Sequence, residues 1–457
     1  MNLHAHHPYT PFERWGHLAV AAVLVLAFTT GGGASDYGLG DALTQWLALP
    51  LLVWAALALQ ASPGNGLRRA AIGVALLIAV TVAVQQLPSP AGLWGSVAVR
   101  DALASDLQAA GVDAPRQLWS LTPLASERGL WSLLPALAVF LAALALPLRH
   151  QRSLLLAVVA LSTASLLLGY LQLGAPQDSL LNPFPEWAPA LNGFFANPNH
   201  QATGLAIAVV AISALLVNDW GRDEPLLPRW ARFSLAALAL LLLASLTLTG
   251  SRAAFLLVVL ALVAVPFVLR SGRRRPATST ARAWTARLLL GVVALAVIAT
   301  AIGWLRYDLA EEVRGSVAKA TVAMGTTQAP WGAGLGSFVP WFDQSAPDAL
   351  VQWEYFNHAH NEYAQWWLES GVLALVSILA VFALLLACYP RRQHVAGDRG
   401  VAVAAWLGCV LVMLHSLVDY PLRTPALMTV AALLAGMVVA QRVQGATRLR
   451  ERPARAG

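Results

Sequence analysis

Apolar residues run along this chain in blocks of about twenty, broken by short polar connectors. A helix of that length crosses the hydrocarbon of a bilayer. Twelve such runs can be marked, at 15–34, 42–61, 67–87, 130–148, 153–173, 201–218, 233–250, 253–270, 288–305, 364–388, 400–418 and 426–441. The pattern predicts an all-α polytopic membrane protein of about twelve transmembrane helices, a single membrane domain over 1–457. Neighbouring runs are often separated by about ten residues or fewer, so they should pack as antiparallel hairpins. The first run does not have the form of a cleaved signal. His4, His6, His7, Pro8 and Pro11 precede it with only one arginine, Arg14, and no clear small-residue cleavage site follows.

Composition agrees with that pattern. The chain is 58% hydrophobic and 12% charged, and a soluble domain carries about twice that charged share. The net charge of +7 comes almost wholly from arginine, Lys319 being the one lysine. The arginines lie in short loops between apolar runs, so they read as topology determinants and not as a nucleic-acid surface. With the N-terminus inside, the alternation of spans puts twenty-two basic residues on the inner side and eight on the outer. That bias predicts both termini in the cytoplasm. Cys388 and Cys409 each sit inside an apolar run, without metal or redox spacing, and read as buried core residues.

The same orientation puts three long segments outside: 88–129, with a helical stretch near 97–110; the proline-rich 174–199; and 306–362, between the ninth and tenth spans. Long loops in a compact unit are usually functional, and the inner connectors are short. Chemistry is therefore expected on the outer face.

Several residues there could carry it. Arg252, in Leu248-Thr249-Gly250-Ser251-Arg252, starts a span where backbone N–H groups favour an anion. Its guanidinium could clamp phosphate or snorkel to lipid headgroups. Asn357-His358-Ala359-His360-Asn361-Glu362-Tyr363 brings two histidines, amides and a carboxylate to the membrane boundary, suited to proton transfer or to structural hydrogen bonding. With no HExxH and no cysteine pair, a metal is not expected. Glu369, about two turns into its span, should be paired or take a proton, most simply in an interhelical hydrogen bond. Asn197-Pro198-Asn199-His200 opens a span, partly as a cap. Gly332-Ala333-Gly334-Leu335-Gly336 lacks the lysine of a nucleotide loop and faces outward, which argues against ATP. In His415-Ser416-Leu417-Val418-Asp419-Tyr420-Pro421-Leu422-Arg423, Asp419 and Arg423 could pair across the turn or join one polar site.

Taken in order, these motifs resemble the O-antigen ligase and polymerase superfamily of bacterial envelope enzymes. The matching pieces are Phe194-Phe195-Ala196-Asn197-Pro198-Asn199-His200, Gly250-Ser251-Arg252, Trp331-Gly332-Ala333-Gly334-Leu335-Gly336-Ser337-Phe338, His358-Ala359-His360-Asn361-Glu362-Tyr363 with Glu369-Ser370-Gly371, and His415-Ser416-Leu417-Val418-Asp419-Tyr420-Pro421. The resemblance implies a fold like the C-type membrane glycosyltransferases, residence in the bacterial inner membrane, and no cofactor. It implies metal-independent transfer of a glycan from a polyprenyl-pyrophosphate carrier to a glycan, lipid A-core or protein hydroxyl at the periplasmic face. By position, Arg252 matches the arginine that holds pyrophosphate and His360 the histidine that activates the acceptor. Arg314, His358, Asn361, Asn199, His200 and Arg423 complete the expected substrate-binding set, although the aromatic residue that usually follows the position of Arg314 is absent from Gly315-Ser316-Val317-Ala318. Inversion at the anomeric carbon is expected. A protein O-oligosaccharyltransferase is an alternative within the superfamily. Outside it stand a lipid-linked glycan flippase, which should show two related halves, and a non-catalytic assembly partner.

Overall fold

The computed structural model describes residues 10–451 apart from 271–308 and the stretches 35–37, 62–64, 90–93, 95–96, 113–116, 177, 186–190, 221, 223, 351–355, 392–394 and 396–397. Among these residues there are fourteen α-helices and no strand. They are α1 (Pro11–Thr30), α2 (Leu39–Gln60), α3 (Gly66–Ala83), α4 (Ala98–Ala109), α5 (Pro123–Ala145), α6 (Gln151–Leu173), α7 (Pro198–Trp220), α8 (Arg229–Leu248), α9 (Arg252–Arg270), α10 (Leu309–Thr327), α11 (Phe338–Ser345), α12 (Glu362–Ala387), α13 (Arg399–His415) and α14 (Pro425–Glu451). Ten are long and apolar enough to cross a membrane, and α13 is a shorter apolar helix. Each expected span thus corresponds to a helix except 288–305, which lies outside the described residues.

The helix starts carry local signals. Thr10 and Glu13 form a reciprocal capping box on α1, with Pro11 at its first position. Asn65, Asn361 and Asp398 cap α3, α12 and α13 through their side-chain oxygens. The segment 97–110 forms α4, close to the expected stretch. The segment 306–362 is not an open connector: it holds α10, α11 and a 3-10 turn at Asp348–Leu350.

α7 is the central helix. Its small and branched residues, among them Ala202, Gly204, Ala206, Ile207 and Ala211, are almost completely enclosed by α6, α8, α9 and α13. Small residues let helix backbones approach closely where lipid tails provide no hydrophobic drive. A second group, α1, α2, α3, α5 and α14, packs beside it. Leu39, Trp46 and Val53 of α2, Trp230, Phe233 and Leu240 of α8, and Leu379 and Leu386 of α12 are exposed, as lipid-facing side chains must be.

Two polar layers mark the ends of α7. At its start, Thr203 Oγ1 lies 2.7 Å from Nδ1 of His415, the last residue of α13. At its end, Asn218 Nδ2 donates to Asp398 Oδ1, the cap of α13, at 2.9 Å. The two helices are therefore antiparallel, and the rise of α7 from Thr203 to Asn218 separates the layers by roughly 22 Å. Around Asp398 stand Arg152 and Arg222, each 3.6 Å away, and Arg149 pairs with Glu13. That end is the basic face. The His415 end carries the long segments.

On the long-segment side, α12 breaks at Gly371 (φ 54°, ψ −133°). A helix break leaves backbone groups that must find partners. Leu368 O and Glu369 O accept from Ala333 N and Gly334 N at 2.8 and 2.9 Å, and Val372 N donates to Pro330 O at 2.9 Å. The glycine-rich loop is thus a plug seated in the break. A Cβ on Gly332 would strike the Glu369 backbone, and one on Gly371 the Pro330 carbonyl. Gln85 Oε1 accepts from Leu335 N at 2.8 Å, while its Nε2 donates to Glu369 O and Ser370 Oγ. Arg100 of α4 donates to Gly332 O at 2.7 Å, and burial lowers its pKa to about 10.

Candidate functional site

The start of α7, the start of α12 and the turn after α13 converge on Asp419 and Tyr420. Asp419 is 1% exposed. Its Oδ1 accepts from Tyr420 N at 2.8 Å and lies 3.6 Å from His200 Nε2 and 3.8 Å from His360 Nδ1. Burial opposes its charge, but His200 and His360, with His415 near by, hold the carboxyl well below the usual carboxylate range. The Tyr420 ring is packed by His358, His200 and His360, with centroids 4.3, 4.9 and 5.0 Å away. Burial and then the Asp419 charge push its phenol up to about 12.

His360 adopts φ 49°, a conformation that L-residues rarely take and that costs about 1 kcal/mol or more. It turns the chain into Asn361, whose Oδ1 caps α12 at Ala364 N (2.9 Å) and whose Nδ2 donates to Leu417 O (2.7 Å). Glu362 N donates to Ser416 O at 2.9 Å. The bonds to Leu417 O and Ser416 O tie the start of α12 to the end of α13 and bring His360 to Asp419. Asn199 belongs to another cap: its N–H donates to Asn197 Oδ1 at 2.8 Å, while Asn199 O accepts from Thr203 Oγ1 at 2.9 Å.

Arg423 does not pair with Asp419 across the turn. Its Nε lies 3.0 Å from Glu362 Oε2, and its Nη2 lies 2.8 Å from Glu369 Oε2. Although burial disfavours the charge, the two carboxylates outweigh it and raise the guanidinium pKa. Glu369 Oε1 also accepts from Gln365 Nε2 and Gly336 N at 3.0 and 3.1 Å. The interhelical partner expected for Glu369 is therefore Arg423. Both side chains are committed to holding α12 against the turn that follows α13.

Arg314 stands half-buried on α10, with its charge felt at His415 and Tyr420, and no ion pair joins it to the described residues. Arg252 is the first residue of α9, just after Gly250 (φ 74°). The three-residue link from α8 cannot cross a membrane, so Arg252 lies at the same end of the bundle as His200. His200, His358 and His360 thus meet around Tyr420, within reach of the Arg314 charge. Among the described residues no three His, Cys, Asp or Glu side chains converge as a metal site requires.

Asp419, Tyr420, Gln365 and Glu362 were not in the expected set. Asp419 lies in a quoted motif, but its partnership with His360, 59 positions away, follows only from the helix pairing.

Fold and site together define a multi-pass α-helical membrane protein with a buried histidine–carboxylate site at one end of the bundle. Residues 236–379 match the model of the O-antigen ligase family, in agreement with the superfamily that the ordered motifs resemble. The match runs from α8 into α12 and includes Arg252, Arg314, His358, His360 and Asn361. His200, Asp419 and Arg423 lie outside it and complete the site from α7 and the turn after α13. No curated protein matches the chain.

Proposed function

We propose that the chain transfers a glycan from a polyprenyl-pyrophosphate carrier to an acceptor hydroxyl at the outer, periplasmic face. The observation that carries this reading is His360 beside the buried Asp419 carboxylate, with Arg314 close by and not engaged by a carboxylate among the described residues. Asp419 favours the imidazole tautomer with the proton on Nδ1, which leaves Nε2 as the base. Separations of 3.6–3.8 Å are long for hydrogen bonds, as is common in a catalytic site before substrate tightens it.

In the proposed step, His360 Nε2 takes the acceptor hydroxyl proton as its oxygen bonds to the anomeric carbon. The bond from that carbon to the pyrophosphate oxygen breaks, and its electron pair leaves on the pyrophosphate. Arg314, with Arg252 at the same end of the bundle, would stabilise that charge. The donor is already activated by its leaving group, so the step draws on no nucleotide. Attack opposite the leaving group inverts the anomeric carbon. Arg423, neutralised by Glu362 and Glu369, holds the scaffold and leaves the pyrophosphate to Arg314 and Arg252.

The test is transfer in vitro by purified protein with a defined lipid-pyrophosphate glycan and candidate glycan, lipid A-core and peptide acceptors. Wild type should form an inverted product and His360→Ala should not. A product with the donor's anomeric configuration, or equal rates for the two proteins, overturns the reading.

A further inference from the structure

Gln365 is buried in the first turn of α12, and its neighbours dictate its orientation. Its Oε1 lies 3.0 Å from Ala359 N. Its Nε2 lies 3.0 Å from Glu369 Oε1 and 3.1 Å from His358 Nδ1. A backbone N–H can only donate, and a carboxylate paired with Arg423 can only accept. The amide oxygen therefore faces Ala359, and one hydrogen of the NH2 group goes to Glu369 and the other to His358. His358 Nδ1 is then an acceptor, so the neutral ring carries its proton on Nε2.

His358 is also held neutral. Burial first, then the charge of Arg423 and the neighbouring His200 and His360, lower its pKa well below the ordinary histidine value. The side chain is 8% exposed, and Nε2 is enclosed without a hydrogen-bond partner among the described residues. An orphaned buried donor is costly and needs an explanation. Its ring and that of His360 both lie against Tyr420. A charged oxygen is the strongest acceptor such a donor can take, and the positive charge of Arg314 is felt at the Tyr420 ring against which His358 packs.

We propose that His358 is a fixed hydrogen-bond donor to a phosphate oxygen of the pyrophosphate carrier, and that Gln365 is the positioning residue that sets its tautomer. The inference rests on the transferase reading and deepens it. The proton stays on Nε2, and no bond at His358 forms or breaks. The two histidines of His358-Ala359-His360 then have opposite roles, the first a donor through Nε2 and the second an acceptor through Nε2. Gln365 and Asp419 are the residues that make them differ.

The experiment uses full-length protein labelled with 15N-histidine in lipid nanodiscs, the His358 signal being assigned by its loss in His358→Gln. Near neutral pH the wild-type signal should show Nδ1 unprotonated and Nε2 protonated. Gln365→Glu, which replaces the donor by an acceptor, should move the proton to Nδ1. Gln365→Met, which removes the donor without adding charge, serves if that variant does not accumulate, and should abolish the preference. Inorganic pyrophosphate should shift the wild-type Nε2–H signal and leave Gln365→Glu or Gln365→Met unmoved. In transfer assays His358→Leu should lose about 10²-fold in kcat. His358→Gln, whose amide can donate from near the Nε2 position, should recover about tenfold of that loss. A wild-type ring protonated on Nδ1 or on both nitrogens, no pyrophosphate shift, or His358→Gln as slow as His358→Leu overturns the proposal. The spectra do not depend on turnover. The expected tautomer and shift without glycan transfer would overturn the proposed function alone, and transfer with the opposite tautomer would overturn this inference alone.

Discussion

At the scale of single residues, the chemistry depends on pairings across large stretches of chain. Asp419 is enclosed and shared by two histidines. Replacing it by asparagine keeps the shape but removes the charge that selects the His360 tautomer. Asp419→Asn should cost about 10²–10⁴-fold in kcat, comparable to His360→Ala, and the double variant should cost little more than either alone. Single-turnover transfer measures this, and additive losses would separate the two roles. Arg423 behaves differently. Its loss strands Glu362 and Glu369, and uncompensating a buried ion pair costs about 3–5 kcal/mol. Arg423→Leu should therefore lower the detergent unfolding midpoint strongly, whereas Arg314→Leu should leave the midpoint near wild type and raise KM or lower kcat. His358 sets a pH limit of its own. Its folded pKa lies well below its ordinary value, so it protonates only at more acidic pH than an exposed histidine would. His358→Gln should leave the acidic limb of the kcat/KM profile above pH 6 in place.

At the scale of elements, the break in α12 organises the outer half of the molecule. Gly371 has φ 54° and ψ −133°, a backbone region open in practice only to glycine, and an added Cβ would meet the Pro330 carbonyl. Gly371→Ala should lose about 1–3 kcal/mol from backbone strain and more from the displaced loop. The check is thermal unfolding together with protease susceptibility of 330–337. Loss limited to α12, with the loop still protected, would count against the plug. These features also show what could be read in advance. Apolar runs predicted the helices because a bilayer demands about twenty apolar residues per crossing. The polar motifs drew attention to the residues that cluster around Tyr420 because charges at membrane depth are expensive. The apolar run 364–388 predicted one continuous helix and gave no sign of the break at Gly371. The partners stayed hidden: that Gly332-Ala333-Gly334 would satisfy the freed carbonyls, that Gln365 would orient His358, and that Arg423 would take Glu362 and Glu369 in preference to Asp419. Each of these pairings is made by helix packing, and local sequence carries no record of it.

At the scale of the whole molecule, the site requires one orientation. The Thr203–His415 contact fixes one end of α7 and the Asn218–Asp398 contact fixes the other. The rise of α7 from His200 to Asn218 is about 27 Å, so the histidines lie close to the thickness of the hydrocarbon core from the basic face, where Arg152 and Arg222 flank Asp398. The arginine bias predicts that the basic face lies in the cytoplasm. Chemical labelling tests the assignment with reporters chosen from exposed positions. Cys388 and Cys409 are buried and can be replaced by alanine to give a silent background. Ser105 on α4 and Glu224 in the link between α7 and α8 are exposed. In intact spheroplasts, Ser105→Cys should react with a membrane-impermeant maleimide and Glu224→Cys should not, the latter reacting only after permeabilisation. The reverse pattern would turn the His360 cluster toward the cytoplasm. A periplasmic lipid-linked donor could not reach it there, and the proposed reaction would fail however well the residues are arranged.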